Sequence, residues 1–285
     1  MKKKFLLFLF GIVLFDSDVF ATDMNVALQQ SYNSCIGISD MLGEVKKIAG
    51  INTAVTGAGT VAGAGALVAG LKKKNLLKNL RNIEENAKDE DELKGGSDLN
   101  MTLKSDFKAN PKSDLAKAKI AGNWRTGLLA VNTATNVAGV AMASKNLNTE
   151  TKVEDKIKEC IDSVDELQKA IAQAKIENVN FTEAQRIYEV CSEYKYLDLS
   201  SLQKRTKGAQ ITSAVGAGTG FVGVITSAVA NKSQDEKERK LDTVSNVLAG
   251  GATLLSGGAT VFNAIQITAV KKLVDVADRC ENSLK

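Results

Sequence analysis

Four long stretches of this chain contain no charged residue, although a quarter of all its residues are charged. They cover residues 48–70, 126–144, 209–231 and 243–270. A helix that faces water normally carries charge on its outer side. We therefore expect four helices whose faces are all covered, by lipid, by a protein core or by an assembly.

The segments that flank these stretches have apolar residues at alternating steps of four and three, the spacing of a two-helix seam. The same spacing places a cysteine on each seam, with Cys35 in a helix predicted over 23–49 and Cys280 near the chain's end. Few aromatic residues and a single proline agree with helix throughout. The sequence predicts an all-α fold with coiled-coil-like, cysteine-bearing ends, and its clearest seam is formed by Val153, Ile157, Cys160, Val164, Leu167, Ile171 and Ala174.

An internal duplication indicates how these helices are organised. Residues 51–60, INTAVTGAGT, recur as ITSAVGAGT at 211–219, and each copy leads to a second uncharged stretch and then to a cysteine helix. We predict two tandem helical hairpins, one over 22–177 with a mobile loop at 84–113 and one over 178–285. In each hairpin, two of the uncharged helices pair.

Small residues recur along the uncharged stretches at helical spacing, which lets helix backbones approach closely and is typical of membrane helix pairs. The first stretch has an i,i+4 row and the third has a glycine strip that we expect to face glycines of the fourth. The sequence therefore predicts glycine-zipper packing through Ala54, Ala58, Gly59, Ala62, Gly63, Ala66, Gly70, Gly216, Gly220, Gly223, Gly250 and Gly257.

Hydrophobicity leaves the environment of these helices open. Residues 48–70 contain only six strongly apolar side chains, which contribute roughly 2 to 4 kcal/mol of membrane insertion free energy before the polar residues subtract from it. A paired hairpin that satisfies its own polar groups would insert more readily. Membrane-embedded hairpins and a soluble assembly whose hairpins bury each other are both compatible with the sequence.

Residues 1–21 are typical of a secretory signal, with Lys2 to Lys4, an apolar centre and the cleavage motif Val19-Phe20-Ala21. Export would place the cysteines in an oxidising compartment. Four cysteines allow three pairings, and the duplication favours Cys35 with Cys160 and Cys191 with Cys280. The alternative is four free, buried thiols.

Composition argues against catalysis and against several ligand classes. The chain has no histidine, which removes the commonest general base and most zinc sites. Its formal charge of +4 is too small to indicate nucleic-acid binding. We identify no catalytic, cofactor or metal site and no small-molecule substrate, and no resemblance to a known family whose functional residues could be transferred.

These observations predict a non-enzymatic, exported cell-envelope protein that acts through glycine-rich hairpins in or on a membrane. Membrane lipid is the expected partner, with homo-oligomers also compatible. Two alternatives stay open at this point: a soluble secreted or periplasmic scaffold or adhesin, and an effector that forms pores conditionally.

Overall fold

The computed structural model of the chain describes residues 23–93, 111–232 and 236–285. Its helices are α1 (23–35), α2 (Ile38–Leu93), α3 (Pro111–Ile176), α4 (Thr182–Cys191), α5 (Leu199–Ala230) and α6 (Glu236–Ser283), with a 3-10 turn at Ser192–Tyr196. The described residues contain no strand, so the all-α prediction is confirmed. The predicted signal segment, 1–21, lies outside the described residues.

Two helix boundaries differ from those expected. The helix predicted over 23–49 is divided by a turn at Ile36 and Gly37, because Gly37 adopts a φ of 86° that only glycine reaches without strain. Helix α2 continues to Leu93, ten residues into the segment expected to be a loop. That extension has no glycine or proline to end it until Gly95. Helix α3 begins at Pro111, where the proline's missing N–H costs nothing.

The helices contribute to two compact units. We call the first the disulfide unit; its described residues are 23–51, 142–207 and 262–285. The second is the glycine-rich unit, 52–93, 111–141, 208–232 and 236–261. Each draws on both predicted hairpins, so the contacts do not follow the predicted boundary at 177, and the two tandem hairpins remain a prediction.

The core of the disulfide unit is made of large apolar side chains. All seven residues of the predicted seam from Val153 to Ala174 are buried in it. Tyr194 and both cysteine pairs lie in the same cluster. This unit therefore follows the usual arrangement of a water-soluble helical protein, with its large apolar side chains inside. The fully buried members include Ile38, Leu42, Val45, Ile157, Val164, Leu167 and Val270.

Candidate functional site

The interior of the glycine-rich unit is built from small and polar residues. Within its described residues, Leu129 is the one apolar side chain larger than alanine that is fully buried. The other interior positions recur at steps of three and four along each helix, so each helix turns one stripe inward. That stripe is polar or small on all four helices: it includes Asn52, Thr56, Ala62 and Ala66 on α2, Asn132 and Asn136 on α3, Ser213 and Ser227 on α5, and Ser245, Ala249, Ala252, Ser256 and Ala259 on α6.

Two asparagines of α3 link the centre of this unit. The Asn132 side-chain amide donates to the backbone carbonyl of Gly59 at 2.6 Å and contacts the Ser256 hydroxyl at 3.0 Å. Asn136 donates to the same hydroxyl at 2.7 Å and to the Asn132 carbonyl at 3.0 Å. The hydroxyl in turn donates to the carbonyl of Ala252. The network joins α2, α3 and α6 through polar groups that have no access to water.

Glycines make these contacts possible because a side chain would not fit where they lie. A Cβ at Gly63 would be 3.0 Å from Asn132 Nδ2 and 3.2 Å from the backbone Cα of Thr253. A Cβ at Gly59 would collide with the Thr135 hydroxyl. Gly59 and Gly63 therefore set how closely α2 approaches α3 and α6.

Two of the three predicted glycines of α5 contact a different helix from the one expected. A Cβ at Gly216 would lie 3.1 Å from the Asn136 carboxamide, and one at Gly220 would strike Thr133, so both glycines face α3. Gly223 lies near Leu248 of α6. A Cβ at Gly250 would meet no atom within 4 Å, and a Cβ at Gly257 would lie 3.8 Å from Thr60 Cγ2, which is an ordinary contact distance.

The predicted alanine row on α2 is buried only in part. Ala62, Ala66 and Gly70 are buried, but Ala54 and Ala58 are exposed. An i,i+4 row drifts around a helix because one turn takes 3.6 residues. Asn52, Thr56 and Gly59 occupy the inward positions instead.

Three charged side chains are buried together in the glycine-rich unit. Lys73 Nζ lies 3.0 Å from Asp242 Oδ2, and Arg125 Nη2 lies 2.5 Å from Asp242 Oδ1. Arg125 also donates to Ser227 at 2.8 Å and to Asn246 at 3.3 Å. Burying an unpaired charge is costly, so the pairing of Lys73 and Arg125 with Asp242 lowers the cost of burying these three charges inside the unit.

The outer surface of the glycine-rich unit carries the large apolar side chains that its interior lacks. Helical segments long and apolar enough to cross a membrane include Asp23–Asn82, Leu199–Ala230 and Lys240–Ser283. Trp124, the chain's single tryptophan, is 64% exposed. Eighteen exposed large hydrophobic residues lie in this unit: Val61, Val68, Leu71, Leu115, Ile120, Trp124, Val131, Val137, Ile211, Val215, Phe221, Val222, Ile225, Val229, Val244, Val247, Leu254 and Val261.

The cysteines of the disulfide unit form two adjacent bridges. Cys35 bonds Cys160 at 1.96 Å and Cys191 bonds Cys280 at 1.98 Å, the pairs that the duplication favours. The sulfurs of Cys35, Cys160 and Cys280 lie within 4.8 Å of one another. All four sulfurs are engaged in bridges, so the group offers no thiolate to a metal.

A buried carboxylate occupies the disulfide unit beside three neutral polar groups. Glu150 Oε1 accepts from the Thr206 hydroxyl at 2.7 Å, from the Gln266 amide, and more distantly from Asn146 at 3.4 Å. Burial, which disfavours the charged form, raises the pKa of Glu150 to about 7, and the hydrogen bonds from Thr206 and Gln266 oppose this shift.

Comparison with known proteins adds no further assignment, since no family model, curated protein or solved structure matches the chain. The buried polar residues, including Asn132, Arg125 and Glu150, were not among the site residues predicted from the sequence. Their signal is a polar residue on the same helical stripe as small residues. Asn132 and Asn136 are four apart within an uncharged stretch, and Arg125 precedes Asn132 by seven.

Proposed function

We propose that this chain is a non-enzymatic, exported protein of the cell envelope whose glycine-rich unit is embedded in a membrane. The observation that supports this most directly is the distribution of side chains in that unit, with small and polar residues inside and large apolar residues outside. This is the reverse of a water-soluble bundle. This distribution suits a lipid bilayer, because lipid covers apolar surface and polar groups must find their hydrogen-bond partners inside the protein.

Covering the exposed apolar side chains of the glycine-rich unit would lower the free energy of the protein. Full burial of one large apolar side chain is worth about 1.5 to 3 kcal/mol relative to exposure in water. Large exposed apolar patches on proteins mark contacts with membranes or with other proteins. The exposed residues on α2, α3, α5 and α6 of the glycine-rich unit would gain this stabilisation on entering a bilayer.

The polar interior is compatible with the same environment. Transmembrane helices associate through close packing and hydrogen bonds, because lipid supplies no hydrophobic force between them. The Asn132, Asn136 and Ser256 network and the glycine contacts of α2 and α5 provide both. A bundle of this kind stays assembled without a core of large apolar residues.

Residues at the ends of the uncharged helices favour one orientation of the chain across the membrane. Lys72 to Lys74 follow the first stretch, and basic residues favour the cytoplasmic side. Trp124 suits the interface between lipid and water. The disulfides favour an oxidising compartment for the disulfide unit. We therefore place that unit on the exported side, in water.

Quenching of Trp124 by brominated lipid tests the proposal. The full chain is reconstituted into vesicles whose acyl chains carry bromine, and its fluorescence is compared with that in matched unbrominated vesicles. A control variant carries Trp124→Phe and Tyr196→Trp, which moves the fluorophore to a position of the disulfide unit that is 87% exposed.

Strong quenching of Trp124 and weak quenching of the tryptophan at 196 are expected. Equal, weak quenching of both, together with release of the protein by carbonate, would overturn the membrane assignment. A soluble scaffold or adhesin would then be favoured, its apolar surface covered by other copies of the chain. Insertion only on contact with acidic vesicles would identify a conditional pore-former instead.

A further inference from the structure

The cluster around Glu150 contains more oxygen acceptors than its donors can satisfy. Glu150, Gln266 and Asn146 are each at most 2% exposed. Their donors are used within the cluster, where Gln266 Nε2 contacts both Glu150 Oε1 and the Thr206 hydroxyl. Three oxygens of the same terminal groups, Glu150 Oε2, Gln266 Oε1 and Asn146 Oδ1, are buried without any hydrogen-bond partner.

Leaving such atoms unpaired is expensive. A buried polar group without a partner costs roughly 1 to 3 kcal/mol, and an uncompensated carboxylate costs more. Among the described residues, every side chain that bonds Glu150 is neutral. When Glu150 is ionised, the cluster therefore carries one negative charge and three unpaired oxygens, and none of the described side chains that bond Glu150 is positive.

We propose that Glu150, Gln266 and Asn146 form a binding site for a monovalent metal cation of the size of sodium. Hard cations prefer carboxylate and carboxamide oxygens. One carboxylate balances one positive charge, whereas calcium sites usually draw on several carboxylates. The three free oxygens supply ligands, and the hydrogen bonds to Thr206 and within the cluster hold their groups in place.

Other occupants satisfy the cluster less completely. A proton on Glu150 Oε2 would donate to one acceptor and leave the third oxygen unpaired. A water molecule would donate to two of the oxygens and leave the carboxylate's charge uncompensated. A cation bound by these oxygens would neutralise Glu150 and satisfy acceptors that no donor of the cluster reaches. This is why a monovalent cation is preferred here.

Sodium binding to the full chain in detergent, with its disulfides intact, tests the site. Measurements at pH 8 use NaCl against N-methylglucamine chloride of equal ionic strength, with ²³Na line broadening and the unfolding midpoint as readouts. At saturating sodium the midpoint should rise on the order of 5 °C. Glu150→Gln and Gln266→Met should each weaken sodium binding at least tenfold.

Glu154→Gln is the matched control, one helical turn away on α3, where Glu154 pairs with Lys158 and Gln203 instead. It should retain wild-type sodium binding. Far-UV circular dichroism establishes that every variant is folded before binding is compared. A midpoint that responds equally to both salts, or sodium binding kept by Glu150→Gln, would overturn the proposal. So would a response to calcium that exceeds that to sodium. Trp124 quenching reports membrane insertion independently of all these readouts.

Discussion

The two units use the same helical spacing with opposite side chains. In the disulfide unit, positions at steps of three and four carry Ile157, Val164 and Leu167 and fill a conventional apolar core. In the glycine-rich unit, the inward positions carry Asn132, Asn136 and Ser256, and large side chains point outward. Helix α3 contributes to both units. One helix thus contains both patterns, so the spacing alone does not reveal which chemistry faces inward.

The difference identifies the solvent for which each surface is built. In water, burial of apolar side chains is the dominant favourable contribution to folding. In lipid, apolar surface is already covered, and close packing and internal hydrogen bonds decide whether helices associate.

The chain also carries separate spectroscopic probes for the two units. All four tyrosines lie in the disulfide unit, and Trp124 lies in the glycine-rich unit. The tyrosines are Tyr32, Tyr188, Tyr194 and Tyr196.

The largest predicted effect comes from removing a disulfide. The Cys35–Cys160 bridge spans 125 residues, and the chain-entropy argument gives about 4 to 5 kcal/mol for a loop of that length. Replacing both cysteines by serine should lower the midpoint of the tyrosine near-UV signal by many degrees. Lipid quenching of Trp124 should stay unchanged. The matched pair Cys191 and Cys280, which spans 89 residues, should cost nearly as much. Simultaneous loss of both signals would contradict independent stabilisation of the two units.

The second largest predicted difference between the units is the stability cost of a lysine introduced at an exposed apolar position. Leu254 of the glycine-rich unit is 78% exposed and Ile176 of the disulfide unit is 75% exposed. Leu254→Lys should cost about 3 kcal/mol if that position faces hydrocarbon, whereas Ile176→Lys should stay within about 0.5 kcal/mol. Retention after carbonate extraction and the unfolding midpoint in bilayers measure both. Equal, small effects at the two positions would indicate that Leu254 faces water.

Glu150 should make the stability of the disulfide unit depend on pH. Its pKa in the folded chain is about 7, above the ordinary value of 4.5. The folded state therefore holds a proton that the unfolded state releases, and stability falls as pH rises from about 4.5 to 7, then levels off. The free energy of unfolding falls by at most about 3 kcal/mol over this range. Its side-chain partners Asn146, Thr206 and Gln266 do not titrate.

Tyrosine-monitored unfolding in sodium-free buffer between pH 4.5 and 8 measures this effect. Because other carboxylates titrate in the same range, the informative quantity is the difference between the wild type and Glu150→Gln. That difference should shrink as pH falls. A pH profile unchanged by the substitution would show that Glu150 is not the group responsible.

The buried stripe could be predicted from the sequence where side-chain size made the pattern unambiguous. Seven apolar residues from Val153 to Ala174 at alternating steps of four and three define one stripe, and all are buried. The uncharged stretches offered no such contrast, because alanine and glycine occupy every face of the helix. The row through Ala54 and Ala58 was therefore as plausible as the true inward stripe through Asn52 and Thr56.

The role of the polar residues in those stretches could not be predicted, for a physical reason. Asn132 and Asn136 lower the mean hydropathy of α3 and so argue against a membrane when only composition is considered. Their meaning depends on partners such as Gly59 and Ser256, which are more than seventy residues away in sequence. The break at Gly37 was missed similarly, since a left-handed glycine leaves the apolar spacing on either side nearly intact.

A side chain at Gly63 should give the smallest of the four effects and the sharpest test of close packing. A Cβ there meets Asn132 and the backbone of Thr253, so Gly63→Leu should destabilise the glycine-rich unit by about 1 to 3 kcal/mol through overpacking. Gly127→Leu is the matched control, because nothing lies within 4 Å of its Cβ position on α3 and leucine favours helix. Trp124 fluorescence during unfolding in bilayers should show a lowered midpoint for the first variant and an unchanged or raised one for the second. If Gly63→Leu unfolds like the wild type, α2 does not approach α6 as closely as these glycine contacts require. The polar network of Asn132 would then hold the bundle together without them.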